Sequence, residues 1–189
     1  MIIIAPYHDE WPLEFAAIAA SLREGLGDLA LRIDHIGSTA VPGLPAKDVL
    51  DVQLTVAALD NAVEAALTGM GYELRAGVTG DHRPPGADGP DEDWQKRLFR
   101  PPPGQRPTNL HVRVDGRPNQ RYPLLFRDYL RAHPAAVEAY ATLKRRLALM
   151  AGGDLGAYTD AKDPACDLIV IAAESWAATT GWKPGPSDG

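Results

Sequence analysis

Residues 49–56, "VLDVQLTV", constrain the fold more than any other stretch. Leu50, Val52, Leu54 and Val56 fall on one side of an extended chain, which leaves Asp51 and Gln53 together on the other. The same pattern recurs in "NLHVRV", where Leu110, Val112 and Val114 alternate with Asn109, His111 and Arg113. Two strands that are each half apolar and half polar belong to a sheet with one face buried under helices. Polar groups then line the other face.

The remaining segments supply those helices and two more strands. From Asp9, a possible cap, Trp11, Phe15, Ile18, Leu22 and Leu26 share a helical face that Gly25 and Gly27 would end. "LALRIDHI" reads as a strand, and "DNAVEAALTGMGY" as a helix capped by Asp60 and stopped at Gly69 or Gly71. Gly77 to Asp93 is a long surface loop rich in Gly, Pro and Asp, and "KRLFR" is a strand joined to "NLHVRV" by the turn "PPPGQRPT". After Asn119 come helices in "YPLLFRDYLRA", "PAAVEAYATLKRRLALM" and "PACDLIVIAAESWAATTGW". The order predicts an α+β fold, a small mixed sheet with helices mainly on one face. The expectation is a single domain over residues 1–182, with 183–189, "KPGPSDG", as a flexible, frayed tail.

Composition narrows the possible partners. A net charge of -6 argues against an extended nucleic-acid surface, whereas a small phosphorylated ligand needs only a few local cations. No apolar run is long enough to span a membrane, and "MIIIAPYHDE" lacks the regions of a signal peptide, so no membrane partner and a cytoplasmic location are expected. Cys166, the only cysteine, excludes an internal disulfide and a cysteine-cluster metal site. Its helical apolar setting predicts a buried thiol.

The Gly37-Ser38 pair follows a strand and lies thirteen residues before Asp51. Glycine there lets backbone approach a phosphate, and the Ser38 and Thr39 hydroxyls can donate to phosphate oxygens. The layout resembles the nucleotidyltransferase superfamily typified by DNA polymerase beta, whose signature is a Gly-Ser turn followed by Asp-x-Asp or Asp-x-Glu on a strand. Two such carboxylates point to one side and hold Mg²⁺ against a triphosphate. Here Gln53 stands at the second position, with one neutral oxygen in place of an anion.

A resemblance to the GrpB family covers nearly the whole chain. "YHDEWPLEFAAIAASLREGLGD", "IDHIGSTAVPGLPAKDVLDV", "KRLFR", "NLHVRV", "LLFRDYLRAHPAAVEAYATLKRRLA" and "YTDAKDP" stand in register with that family's blocks. The family's turn motif is met by His35, Gly37, Ser38, Thr39, Val41, Pro42, Gly43, Leu44 and Lys47, with Asp34 where glutamate is usual and Asp48 where proline is common. Its His-x-His strand is met by His111 alone, because Asn109 replaces the first histidine. The resemblance implies a nucleotidyltransferase-like mixed sheet flanked by helices, and related domains occur fused to dephospho-coenzyme A kinase.

The expected site is drawn from these positions. Asp51, Gln53 and His111 are the candidate catalytic and metal-binding residues, for Mg²⁺ or another divalent metal. Gly37, Ser38, Thr39 and Lys47, with the cations Lys96, Arg97, Arg113 and Lys162, are the candidate phosphate-binding residues. Arg127, Arg131 and the "LKRRL" run are expected on exposed helix faces, paired with Asp128 and Glu138. Trp94, Tyr122 and Tyr158 are expected in core or rim packing, with stacking on a base as the alternative. The function expected is binding of a nucleotide or phosphoryl compound, with metal-dependent nucleotidyl transfer as its catalytic form. The alternative is a non-catalytic regulatory module for nucleotides or coenzyme A precursors.

Overall fold

The alternation in the two polar-faced strands is realised in the computed structural model, which describes residues 1–189. The chain runs α1 (Trp11–Leu26), β1 (Arg32–Ile36), β2 (Leu50–Val56), α2 (Asn61–Gly69), β3 (Glu73–Leu74), β4 (Arg97–Arg100), β5 (Thr108–Val114), α3 (Pro118–Ala132), α4 (Pro134–Met150) and α5 (Leu155–Thr180). The sheet order is β1-β2-β5-β4-β3, with β2 and β5 parallel and every other pair antiparallel. A parallel pair needs a crossover, here α2, β3, the long loop and β4. Asp51 therefore lies opposite Asn109, and Gln53 opposite His111.

On the apolar face Leu50, Val52, Leu54, Leu110 and Val112 pack against Trp11, Phe15 and Leu22 of α1 and Val63 and Leu67 of α2. Burying each large apolar side chain contributes about 1.5–3 kcal/mol, so this face holds the main core. The other face is not left open as expected. Helix α3 crosses it, with the Gln120 carbonyl accepting a 3.0 Å hydrogen bond from the Gln53 amide. Phe126 and Leu130 of α3, Tyr140 and Ala141 of α4, and Cys166 and Val170 of α5 form a second core with Val41 and Leu44. Helices thus cover both faces. The Cys166 thiol is buried there, as expected. No helix is long and apolar enough to cross a membrane.

Several boundaries differ from the sequence reading for local reasons. Helix α5 begins at Leu155, because the Asp154 carboxylate accepts from the Ala157 amide at 3.1 Å and caps it; Pro164 lies inside the helix. Helix α3 begins at Pro118, where a proline suits the first turn. Asp9 does not cap α1, whose N-terminal flank is Glu10 without a side-chain bond. The residues expected as a frayed tail lie along the outer edge of β1. The Ser187 hydroxyl accepts from the Ile33 amide at 2.9 Å and donates to the Ile33 carbonyl at 2.8 Å, and Asp188 accepts from the His35 amide at 3.0 Å.

Two residues expected on exposed helix faces are buried. Arg127, 3% exposed, donates to the His35 carbonyl and pairs with Asp188 at 2.5 Å as well as with Asp128. Lys144, also 3% exposed, points inward on α4. The reason is helix periodicity: Lys144 lies one turn after Tyr140, on the face that meets the second core. Arg131 does pair with Asp128, at 3.7 Å, while its Nε donates to the Ala40 carbonyl.

Candidate ligand site

The turn after β1 is shaped by one backbone conformation. Gly37 has φ 70° and ψ -167°, a region open essentially to glycine alone, and a β-carbon there would stand 2.4 Å from Asp51 Oδ2. Ser38–Ala40 then form a single tight turn. His35, two residues before Gly37, faces the apolar side: its ring stacks on Phe15 at 4.8 Å between centroids and its Nε2 bonds the Thr39 hydroxyl at 2.9 Å. Burial, helped by Arg131, pushes its pKa down to about 4. It supports the turn from beneath.

On the polar face the side chains form one chain of hydrogen bonds. Asp51 Oδ1 accepts from Asn109 Nδ2 at 2.9 Å and lies 3.4 Å from His111 Nε2. His111 Nδ1 lies 3.3 Å from Lys96 Nζ and 3.4 Å from Arg113 Nη2, both cationic donors. These partners assign the neutral tautomer with the proton on Nε2. Burial, with Arg113 and Lys96, pushes the His111 pKa down to about 4 against the pull of Asp51. Burial opposes ionisation of Asp51, but the bonds from His111 and Asn109 and the charge of Lys47 outweigh it and bring its pKa to about 2.

Asp81, from the long loop, ties this network together. It pairs with Lys96 at 2.6 Å and with both ends of the Arg113 guanidinium at 2.8 Å, and it accepts from Asn119 at 3.1 Å. Burial opposes its ionisation, yet the Arg113 and Lys96 charges hold its carboxyl well below the usual carboxylate range.

A cavity of about 410 Å³ opens in front of Asp51. Gly37, Ser38 and Thr39 form one side; Lys47, Lys96 and Lys162 reach it, as the sequence predicted, together with Asp51 and His111. Lys144 joins them unpredicted, donating to the Pro45 carbonyl at 2.6 Å and lying 5.3 Å from the Tyr140 ring centroid. Burial, reinforced by nearby Lys162, lowers its pKa to about 7. Burial lowers the Lys47 pKa as well, and its ammonium lies 5.5 Å from the Tyr158 ring centroid. Lys162 is 3.8 Å from Asp163 and 3.6 Å from Cys166 Sγ. Neither Lys47 nor Lys144 has a carboxylate within 4 Å.

Three predicted residues lie elsewhere. Gln53 is fully buried behind the cavity: its amide nitrogen donates to the Gln120 carbonyl and its oxygen accepts from Arg113 at 2.8 Å. Arg113, 5% exposed, is spent on Asp81 and Gln53 and does not line the cavity. Arg97 sits opposite Val112, on the apolar side, where it pairs with Glu64 at 2.9 Å and donates to the Leu59 and Asp60 carbonyls. Tyr122 and Tyr158 both line the cavity rather than serving only as packing.

The donor set does not fit the divalent metal expected from sequence. Both polar atoms of Gln53 have protein partners, and both His111 nitrogens face hydrogen-bonding groups. Asp81 is neutralised by two cations. No three His, Cys, Asp or Glu side chains group to hold an ion. What the cavity offers is four ammonium groups beside Asp51, with Asp81 and Asp163 on its wall already next to Lys96 and Lys162.

Comparison with known proteins places the chain in context. A family model described as GrpB protein matches residues 1–171. A dephospho-CoA kinase of Mycolicibacterium paratuberculosis is 41% identical over 196 residues, covering 96% of this chain and 48% of that protein. The chain thus spans about half the length of such relatives. A UPF0157 protein of Halalkalibacterium halodurans is 37% identical, covering 92% of this chain and 83% of its own. The crystal structure of the conserved protein GrpB from Enterococcus faecalis superposes with a TM-score of 0.75 at 28% identity, over 92% of this chain and 99% of that one.

Proposed function

Since this chain belongs to the GrpB family, we propose that it works through the cavity on that scaffold as a binding module for a small phosphorylated compound of the nucleotide or coenzyme A precursor class. The observation that carries this reading is the pair Lys47 and Lys144, two part-buried or buried ammonium groups without a carboxylate partner on one small cavity. A buried charge without a counter-charge is costly, and an anionic ligand would compensate it. Lys144 and Lys47 would neutralise the phosphate, Lys162 would add charge from α5, and the Ser38 and Thr39 hydroxyls would donate along the glycine turn. The names of the dephospho-CoA kinase relatives favour the same ligand class.

Metal-dependent nucleotidyl transfer is the second reading. The close approach of the Gly37 turn to Asp51 favours it, and the engaged Gln53 and His111 oppose it. Calorimetry with nucleotides and coenzyme A precursors, with Mg²⁺ or Mn²⁺ and then with chelator, separates the two. Binding that survives chelation without turnover supports the module; binding only with metal, or a transfer product, overturns it.

A further inference from the structure

Residues 185–189 lie along the outer edge of β1, and Ser187, Asp188 and Gly189 are each held there in a different way. Ser187 bonds both the amide and the carbonyl of Ile33, at 2.9 and 2.8 Å, and the Gly189 amide donates to the same carbonyl at 3.1 Å. Asp188 accepts from the His35 amide at 3.0 Å and from the buried Arg127 at 2.5 Å. Gly189 fits so closely against α1 that a β-carbon on it would stand 2.4 Å from Ala19 Cβ, and its main-chain oxygen accepts from Arg23 at 2.9 Å. Arg32 donates to the Gly185 and Pro186 carbonyls at 2.8 and 3.3 Å. Bonds to a strand edge give such a contact its affinity, and fixed seats for a hydroxyl, a carboxylate and a glycine give it selectivity.

The same edge supports the turn beside the ligand cavity. Asp188 takes the amide of His35 while Arg127 donates to its carbonyl at 2.9 Å, so the two together fix that stretch of backbone. The His35 ring bonds Thr39, which lines the cavity with Gly37 and Ser38. Arg131 holds the far end of the turn, donating to the Ala40 carbonyl at 2.9 Å; burial and Arg127 lower its pKa, and Asp188 and Asp128 oppose them. Withdrawing Asp188 would leave Arg127 and Arg131 to share Asp128. Movement of either arginine relieves that crowding of like charge, and each is bonded to the backbone that carries the turn.

We propose that the outer edge of β1 is a recognition groove for a Ser-Asp-Gly peptide, that residues 185–189 are its occupant, and that this occupancy holds the Ser38–Ala40 turn in the form that receives the ligand. The effect on ligand affinity rests on the phosphate-binding reading above; the effect on the turn does not. The segment acts as a strap on the back of the site. By linkage, a ligand that favours the formed turn tightens the strap by the same factor that the strap tightens the ligand.

Two measurements on the full chain test this: hydrogen exchange at the Ala40 and Val41 amides, which close the turn onto the Gly37 and Ser38 carbonyls, and titration of inorganic phosphate. Asp188→Ala should speed exchange at both amides and weaken phosphate binding, each about tenfold, a usual size for coupling between sites. The free peptide Gly-Pro-Ser-Asp-Gly, at millimolar concentration, should restore both, and the same peptide with alanine for its aspartate should restore neither. Rescue in trans separates recognition from a general loss of stability. Gly189→Val, which leaves Asp188 in place but cannot fit against Ala19, should show the same two effects. The strap is overturned if exchange at Ala40 and Val41 is unchanged in both variants, or if the peptide fails to slow it again. Exchange that responds while phosphate affinity stays level overturns the coupling to the ligand. If phosphate binds neither wild type nor variants, the phosphate reading fails separately, and the exchange measurement still decides the strap.

Discussion

Gly37 and Asp51 are fitted to one another across the β1–β2 junction, with only 2.4 Å between Asp51 Oδ2 and the place a β-carbon on residue 37 would occupy. The expected result of Gly37→Ala is a loss of about 1–3 kcal/mol of stability from the backbone conformation alone, with further loss from the contact. Because Asp51 must shift, ligand affinity should fall as well. Urea unfolding and ligand titration on the same variant check both, and an unchanged affinity would separate the turn from the site.

Lys144 gives the site a proton signature. With a pKa of about 7, the Lys144 side chain without ligand is mostly the neutral amine at pH 8, and a bound anion would raise its pKa. Binding at pH 8 should therefore take up a proton, seen as a calorimetric enthalpy that varies with the ionisation enthalpy of the buffer. Lys144→Met should remove that dependence and weaken phosphate binding about 10- to 100-fold. The variant should also be more stable at pH 7, since it no longer buries an unpaired charge.

Gln53→Glu restores the second carboxylate of the nucleotidyltransferase pattern and tests whether the pattern suffices. The new oxygen would face the Gln120 carbonyl, which now accepts from Gln53 at 3.0 Å. A loss of about 1–3 kcal/mol is expected from that unmet pair. Mg²⁺ should restore neither stability nor give new ion binding; a metal-dependent rise in melting temperature would contradict the placement of residue 53.

Acid should destabilise the fold before its carboxylates titrate. His35 and His111 are pushed from about 6.5 to about 4, chiefly by burial. Between those values the unfolded chain binds protons that the folded chain does not, so stability falls as pH drops through the window. Each contributes up to about 3 kcal/mol. Urea midpoints from pH 7 to 4.5 should decline, and His111→Gln should flatten the decline. A level curve would mean that neither imidazole is held neutral.

Asp81 holds the long loop against the sheet through Lys96, Arg113 and Asn119. Asp81→Asn leaves Arg113 and Lys96 in place with their counter-charge removed, at a cost of about 3 kcal/mol. Limited proteolysis should then cut within residues 82–92 faster than in the wild type. Equal rates would show that other contacts anchor the loop.

The strand alternation made the sheet legible, and with it Asp51 and His111 on one polar face, because side chains on a strand repeat every second residue. It did not distinguish the half of that face open to the cavity from the half under α3, where Gln53 lies. Arg97 follows from the same period: its partner across the ladder is Val112, so it faces the helix α2 side. Lys144 was hidden in a basic run, although its spacing from Tyr140 was the available signal. Asp81 left none, since its partners Arg113 and Asn119 lie far along the chain and only the folded loop brings them together.

The contacts of Ser187 and Asp188 with β1 also bear on what the sheet can join. An outermost strand with free amides and carbonyls is a template on which a second molecule can add its own strand, the first step of edge-to-edge association. Here side-chain oxygens occupy the amides of Ile33 and His35, and Asp188 is itself held by Arg127. Residues 187 and 188 fill part of that edge, so an affinity tag or reporter spliced into them is expected to uncover it.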